Sequence, residues 1–521
     1  MVPRALFDIS LAAPRIRRQR PTRMPNHSQV DRLDFRSVQH PGRDRRTFLQ
    51  AFATGAVLAA TRSPWLLQPV NFRSNRPAET SDPGWEEVPQ ILARIRPPRF
   101  ADREWSVLEF GAVGDNKTDC TSAFQQAISA CHVAGGGKVV VPGGEYLTGA
   151  VRLLSGVNLE VSKGATLRFK RDPRSYPLVR TQWEGVELMN FSPFVYAFQE
   201  ENIAITGEGT LDGNSDCEHW WPWKGQRKCG WKQGDPDQSQ DRNTLFAMGE
   251  SHTPVERRVF GEGHYLRPQF IQPYCCKNVL IEGLTLLNSP MWQVTPALCA
   301  NVTVRGLTLE SSGPNTDGCD PESCSDVLIE NCLFNTGDDC IAIKSGRNGD
   351  GRRLHTPSEN IIIRDCRMKN GHGGVTIGSE ISGGVRNVFV ENCQMDSPHL
   401  DCALRIKNNA MRGGDIENIR VRNVDVGQVA VAGVSIDFLY EEGAAGTFTP
   451  IVRGVEVRNL KVRNAKYAVF LRGLQNAPIE EVRLTDCIFE NATQSSVVEN
   501  AKDIVVQDVR INGKLVAKLT A

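Results

Sequence analysis

The chain has 521 residues, of which 40% are hydrophobic and 23% charged, with a net charge of +1. So even a balance excludes a global field that would steer the protein to nucleic acid or to an anionic membrane; attraction for an acidic ligand has to be local. The composition is that of a soluble protein with a large core, and a chain this long forms one unit most readily as a solenoid.

Residues 1–44 are rich in Arg, Pro and Gln and show no periodicity. Arg45-Arg46-Thr47-Phe48-Leu49 follows, then an apolar stretch from Ala51 to Ala60, too short to span a bilayer as a helix. The arginine pair and its apolar run resemble a twin-arginine export signal, which implies a periplasmic or extracellular protein with no stable membrane association. Residues 1–63 are read as this leader, residues 64–104, with many Pro and Arg, as a linker, and residues 105–515 as the folded domain. Near the start of that domain, Thr121–Cys131 places Ala123, Ala127, Ile128 and Cys131 at helical spacing, a helix suited to shielding the first winding. Residues 212–264 form a non-repeating insertion that carries Trp220, Trp221, Trp223 and Trp231.

From residue 278 onward a repeat takes over. Asn278-Val-Leu-Ile-Glu-Gly283 returns as Asn301-Val-Thr-Val-Arg-Gly306, Asp326-Val-Leu-Ile-Glu-Asn331, Asn360-Ile-Ile-Ile-Arg-Asp365 and Asn387-Val-Phe-Val-Glu-Asn392, with later copies from Asn418, Gly454, Glu481 and Asp503. Apolar positions alternate within each copy, as in half-buried strands, and Asn, Asp and Gly mark the turns. Short strands every 22–36 residues, without helical stretches between, predict an all-β solenoid. The handedness of parallel crossovers makes it a right-handed parallel β-helix.

A second strand follows each copy: Cys340–Ser345, Gly374–Ser379, Ala403–Asn408 and Gly433–Phe438. Anchoring these on Ile343, Ile377 and Ile406 puts Asp338, His372 and Asp401 at one shared position five residues upstream. Asp317 is expected at the same position one winding earlier, giving a four-rung ladder at about 4.8 Å per step. Arg405 and Lys407, two residues apart, share an outward face opposite Leu404 and Ile406, and Lys344 aligns with Lys407 as an extension of that cationic strip. For Asp401, which belongs to no motif, a turn role is preferred to a site role. Of fifteen cysteines, Cys332, Cys366, Cys393 and Cys487 occupy one repeat position and read as a stack of small apolar residues. Cys217 with Cys229, and Cys319 with Cys324, are open disulfide candidates, and no spacing fits zinc.

Three acids, one imidazole and two cations on one patch suit hydrolysis of an acidic sugar chain. Breaking a glycosidic bond takes an acid for the leaving oxygen and a base for water, and carboxyl groups serve both. Crowding of Asp317, Asp338 and Asp339 is expected to raise at least one pKa, leaving Asp338 protonated as the acid while ionised Asp317 and Asp339 hold a water. Arg405 would grip a substrate carboxylate with its fork and Lys407 as a point charge.

Asn315-Thr316-Asp317, Gly337-Asp338-Asp339, Gly371-His372-Gly373 and Arg405-Ile406-Lys407, in this order, resemble the four signatures of the polygalacturonase family, glycoside hydrolase family 28. Phe110-Gly111-Ala112-Val113-Gly114-Asp115 and Ser289-Pro290-Met291-Trp292 are similar to further patterns of pectin-active β-helix proteins. The resemblance implies an inverting hydrolase of α-1,4-linked galacturonate, with Asp338 as general acid, Asp317 and Asp339 activating water and His372 in support. It also implies that Arg405 and Lys407 bind a galacturonate carboxylate, with no metal or cofactor; Asn315 and, by its alignment, Lys344 are expected to join this substrate-binding set, in a monomer acting on polygalacturonate or its oligomers. The tryptophan-rich insertion is expected to close one end of the groove and give exo cleavage, with Trp183 and Glu184 also facing the groove. Two other readings remain open from the residues: a pectate lyase using Ca²⁺ on the carboxylates and Arg405 as base, and a non-catalytic carbohydrate-binding solenoid.

Overall fold

The computed structural model describes residues 84–519. The arginine pair and the apolar stretch that follows it lie outside the described residues.

The recurring motif forms the strands expected of it. Lys277–Glu282, Ala300–Arg305, Ser325–Glu330, Ser358–Arg364 and Val385–Glu391 stack in parallel, each on the next. Val279, Val302, Val327, Ile361, Val388 and Ile419 fall directly above one another, all buried. Each such aliphatic side chain contributes about 1.5–3 kcal/mol of transfer free energy, so the column is a continuous core.

The Asn and Asp that open each copy have a specific job. Asn278, Asn301, Asp326, Asn360, Asn387 and Asn418 all adopt φ of 54–57°, the left-handed region that Asn and Asp tolerate best among side-chain-bearing residues. Several also bond one another up the stack, as Asn301 does by donating to Asn278 at 2.7 Å and Asn418 to Asn387 at 2.8 Å.

A second sheet line runs through Thr285–Leu287, Thr308–Ser311, Leu333–Thr336 and Arg367–Asn370. A third contains Ile341–Ile343, Gly373–Ile377, Cys402–Lys407 and Ala432–Asp437, with Ile343 opposite Ile377 and Ile377 opposite Ile406. The third line is the one that carries the site.

A helix, α1 (Glu87–Arg94), lies within the stretch expected to be a linker, so residues 84–104 are not a mere connector. Trp85, Val88, Ile91 and Ile95 pack on Leu328, Ile362 and Phe389. These last three are the middle residues of unbroken apolar triplets; they point outward and need a cover. Arg94 is ion-paired to Asp326 at 2.7 Å at the end of the same contact. The capping helix, α2 (Thr121–Val133), buries Ala123, Phe124, Ala127, Ile128 and Cys131 over the first winding.

The insertion holds a helix, α3 (Ser239–Glu250), and a disulfide between Cys217 and Cys229. Its satellite core joins Leu245, Phe260 and Leu266 to Trp183, Val186, Leu188, Met291 and Trp292. Cys319 and Cys324 are separate buried thiols, not a second disulfide. Cys332, Cys366 and Cys393 stack in register as free thiols, and the column continues through Val424 and Leu460.

Candidate active site

Three carboxyl groups meet where the third sheet line turns into its strands. Asp317, Asp338 and Asp339 each offer an oxygen lying within 4.8 Å of the others. Asp338 and His372 share a rung, since Ile341 pairs with Val375, and the His372 amide donates to the Asp338 carbonyl at 3.1 Å. Asp401 follows on the next rung, its amide donating to the His372 carbonyl at 3.1 Å. Asp317 departs from the expected four-rung ladder by one residue. Cys319 bridges to Ile341, which sets Asp317 beside Asp339 rather than Asp338. The cluster is thus an Asp338–His372–Asp401 column with an Asp317–Asp339 pair alongside.

Exposure divides the three acids. The Asp338 side chain is 19% exposed, while that of Asp339 is 1% exposed and Asp317 is buried. Only Asp338 of the three presents itself to an incoming ligand. Its Oδ1 lies 2.8 Å from His372 Nδ1, and its Oδ2 lies 3.4 Å from the amide nitrogen of Asn315. Asn315 is committed at its other end too, accepting from the buried guanidinium of Arg267 at 2.8 Å. Asn315, expected to bind substrate, thus links Arg267 to Asp338.

The proton distribution reverses the one expected from like-charge crowding. Burial disfavours ionisation of Asp338, but His372, Lys407 and Lys224 outweigh it and hold this carboxyl well below the usual range. The same Asp338 charge raises His372 to about 9 against its own burial. The carboxyl driven to keep a proton is Asp317, through burial first and then through Asp320 and Asp338. Asp339 is held ionised despite burial, by Lys407 at 2.7 Å and Arg405 at 3.7 Å.

Arg405 and Lys407 do point away from Leu404 and Ile406, which are buried. Both stand under Tyr440, 5.7 Å and 5.1 Å from its ring centre. Asp401 reaches Arg405 at 4.0 Å, and its carbonyl accepts from Val431 and Ala432, so its backbone does serve the turn. Lys344 is a correction. It lies beneath the site, 3.2 Å from Glu380 and 3.7 Å from Asp320, with Trp292 covering it at 4.4 Å. It neutralises buried carboxyls and cannot extend a surface strip. With one ammonium between two acids, Glu380 takes the charge, and burial pushes Asp320 up to about 8.

The family model for glycosyl hydrolases family 28 matches residues 260–507, and one described as rhamnogalacturonase A/epimerase, pectate lyase-like, matches residues 105–160. The solved structure of a hyperthermoactive exopolygalacturonase from Thermotoga maritima is 46% identical. It superposes with a TM-score of 0.82 over 84% of this chain and 98% of that one. The chain belongs to glycoside hydrolase family 28. An endo-polygalacturonase of Pectobacterium carotovorum subsp. carotovorum is 30% identical over 63% of this chain and 74% of its own. A probable polygalacturonase of Vitis vinifera is 28% identical over 75% of each.

This glycoside hydrolase departs from expectation around its insertion. Trp183 is buried, its indole donating to the Arg267 carbonyl at 2.9 Å, and Glu184 is buried on Arg242 at 2.7 Å, so neither faces the groove. Trp220 is buried as well, and Trp221 donates to the Ser289 carbonyl at 2.9 Å. Trp220 packs the loop, while Trp221, Trp223 and Trp231 are half-buried. Sequence reasoning missed Lys224, Arg267, Asp320 and Tyr440. Arg267 and Lys224 lie in or beside the insertion, which has no period to align. Asp320 follows the Asn315-Thr316-Asp317 motif by three residues, and that spacing could have found it.

Proposed function

We propose that this family 28 hydrolase cleaves α-1,4-galacturonosidic bonds of polygalacturonate and that it works from a chain end. The observation that carries the reading is the half-exposed Asp338–His372 pair set between a buried carboxylate pair and the Arg405–Lys407 cations. The exopolygalacturonase from Thermotoga maritima, 46% identical, supports the exo mode.

The steps follow from the charges. A galacturonate carboxylate settling on Arg405 and Lys407 offsets part of the positive field that keeps Asp338 ionised. The proton held between His372 and Asp338 then moves to the Asp338 carboxyl and on to the glycosidic oxygen as the C–O bond breaks. Water adds its oxygen to the anomeric carbon and gives its proton to Asp339, with Asp317 fixing its position. The oxygens here lie closer than the roughly 6.5–9.5 Å typical between the carboxyls of inverting enzymes, a range that leaves room for water between acid and base. Asp317 and Asp339 stand side by side next to Asp338. Inversion is proposed on the family resemblance, not on this spacing.

The lyase reading loses support from the same charges. His372 already neutralises Asp338, and Lys407 with Arg405 neutralises Asp339, which leaves a weak field for Ca²⁺. Arg405 is held protonated by Asp339 against its burial and is unsuited as a base. Export by the twin-arginine route belongs to the same proposal, supported by the Arg45-Arg46 leader and by thirteen free thiols, which suit folding before export.

Incubation with polygalacturonate tests the reading. The expected result is short products from the first time point, slow loss of viscosity, an inverted anomeric proton signal, no ultraviolet-absorbing unsaturated product and no effect of a chelator. Long early oligomers would refute the exo mode, a retained anomer the inverting course, and chelator-sensitive unsaturated products the hydrolytic reading itself.

A further inference from the structure

Lys224 acts on Asp338 through its field, yet it has no carboxylate partner of its own. It ends the short turn Trp221–Lys224 inside the insertion, half-buried and within electrostatic reach of Asp338, Glu184, Arg242 and Arg267. Its neighbours are committed. Glu184 is taken by Arg242 at 2.7 Å and Arg347 at 3.8 Å, and Arg267 by Asn315 and the carbonyls of Pro290 and Pro314. Among the described residues no carboxylate comes within the 4.0 Å of an ion pair to Lys224. Burial pushes its ammonium below the ordinary lysine value, a cost that an anion at the same spot would offset.

The turn is fixed in place. Trp220 is buried against Tyr176, Phe194 and Trp223, and Trp223 meets Tyr265 edge to face at 5.3 Å. Trp221 bonds Ser289, and its indole fills the space a side chain at Gly313 would need, 2.2 Å from a Cβ there. The Cys217–Cys229 bridge closes the loop around the turn. The backbone that carries Lys224 is therefore held at a set place beside the site.

The order of windings gives the position a meaning. Ser289 and Gly313 precede the winding of Asp338, whereas Arg405 follows it by two steps of the third sheet line, through Thr376. Asp338 thus lies between two sources of positive charge, one built by the repeat and one brought by the insertion. We propose that Lys224 binds the carboxylate of the uronate on the side of the broken bond away from Arg405 and Lys407. The site then reads a charge on both sugars that flank the cut, which makes it selective for a bond between two uronates. This rests on the hydrolysis of galacturonan proposed above.

The test uses the shortest oligogalacturonide that the wild-type enzyme cleaves, with all carboxyls free and with a single methyl ester on either sugar flanking the bond. K224M is expected to raise KM for the free acid about 10- to 100-fold, the loss of one charge-assisted contact, with a smaller change in kcat. K224R should recover most of that loss. On one mono-ester K224M and wild type should converge, because the contact is already gone; on the other the K224M defect should persist, and R405A should converge there instead. An unchanged KM on the free acid overturns the assignment. So does an equal defect on all three substrates, which would mark Lys224 as structural. If wild-type enzyme cleaves no galacturonan at all, the functional reading fails before Lys224 is tested.

Discussion

The two walls of the site have different origins. One is made by the repeat: Asp338, His372, Arg405 and Lys407 project from successive windings, and the backbone ladder sets their spacing. The other is made by the insertion: Trp221, Lys224 and Arg242 reach the same place from a loop held by aromatic packing, buried ion pairs and one disulfide. On the first wall every charged group has a partner at hand, as Asp339 has Lys407 and Asp338 has His372. On the second a lysine is left over. The repeat wall is therefore equipped for chemistry, where charges must be poised against each other, and the insertion wall for choosing the ligand, where a charge must be free.

The comparison breaks most sharply at Asp338. Asp338→Asn keeps the size of the side chain and removes both the acid and the anion that holds the His372 proton. The expected result is a fall in kcat of roughly 10³-fold or more with a near-normal melting temperature, at the upper end of what a general acid contributes. The same variant should return the His372 imidazole from about 9 toward the ordinary 6.5, followed by NMR titration. Wild-type turnover in the variant would remove Asp338 from the chemistry. A His372 pKa that stays near 9 would place its controlling charge elsewhere.

Arg405 sharpens the contrast at the other end of the repeat wall. Its guanidinium is more open than Lys407 and lies farther from Asp339, 3.7 Å against 2.7 Å. Arg405→Ala should then act chiefly on binding, raising KM for charged oligomers about 10- to 100-fold. Lys407→Met should instead lower kcat, because it strips the ammonium that keeps Asp339 ionised. Steady-state kinetics on one oligogalacturonide separates the two, and identical effects would mean that both residues act as one unit.

How far this was legible in the chain depends on which wall is considered. The Asp338–His372–Asp401 column followed from a constant offset of five residues to Ile343, Ile377 and Ile406, because register in a stacked sheet copies itself from winding to winding. Asp317 was misplaced by one position because its winding joins the line through isolated bridges at Cys319 and Glu322, with no full strand to count from. Lys344 was assigned to the right face, but alignment carries no word on what covers that face, here Trp292 and Glu380. Lys224 has no repeat partner at all, and its place depends on contacts to residues distant in the chain, such as Trp221 to Ser289. The docked helix α1 was readable in principle. Trp85, Val88, Ile91 and Ile95 keep helical spacing, and the unbroken triplets Val327-Leu328-Ile329, Ile361-Ile362-Ile363 and Val388-Phe389-Val390 show an outward stripe in want of a cover.

The smallest expected effect concerns the acids beneath the repeat wall. Neither carboxyl oxygen of Asp320 has a hydrogen-bond partner, and burial pushes both Asp320 and Glu322 up to about 8. A raised carboxyl pKa means that the native state holds protons the unfolded chain has released. Stability must then fall as pH rises from the ordinary carboxylate range, near 4, through about 8. Each group contributes a slope of at most about 1.4 kcal/mol per pH unit inside that window. Asp320→Asn supplies a neutral group of the same shape and removes one of the two titrations. The variant should lose less melting temperature than the wild type between pH 5 and pH 8, measured by scanning calorimetry in matched buffers. Parallel curves would show Asp320 ionised in the fold, with Lys344 shared evenly between it and Glu380. An Asp320 ionised in that way would hold the proton on Asp317 more firmly, since burial and then the charges of Asp320 and Asp338 raise that carboxyl.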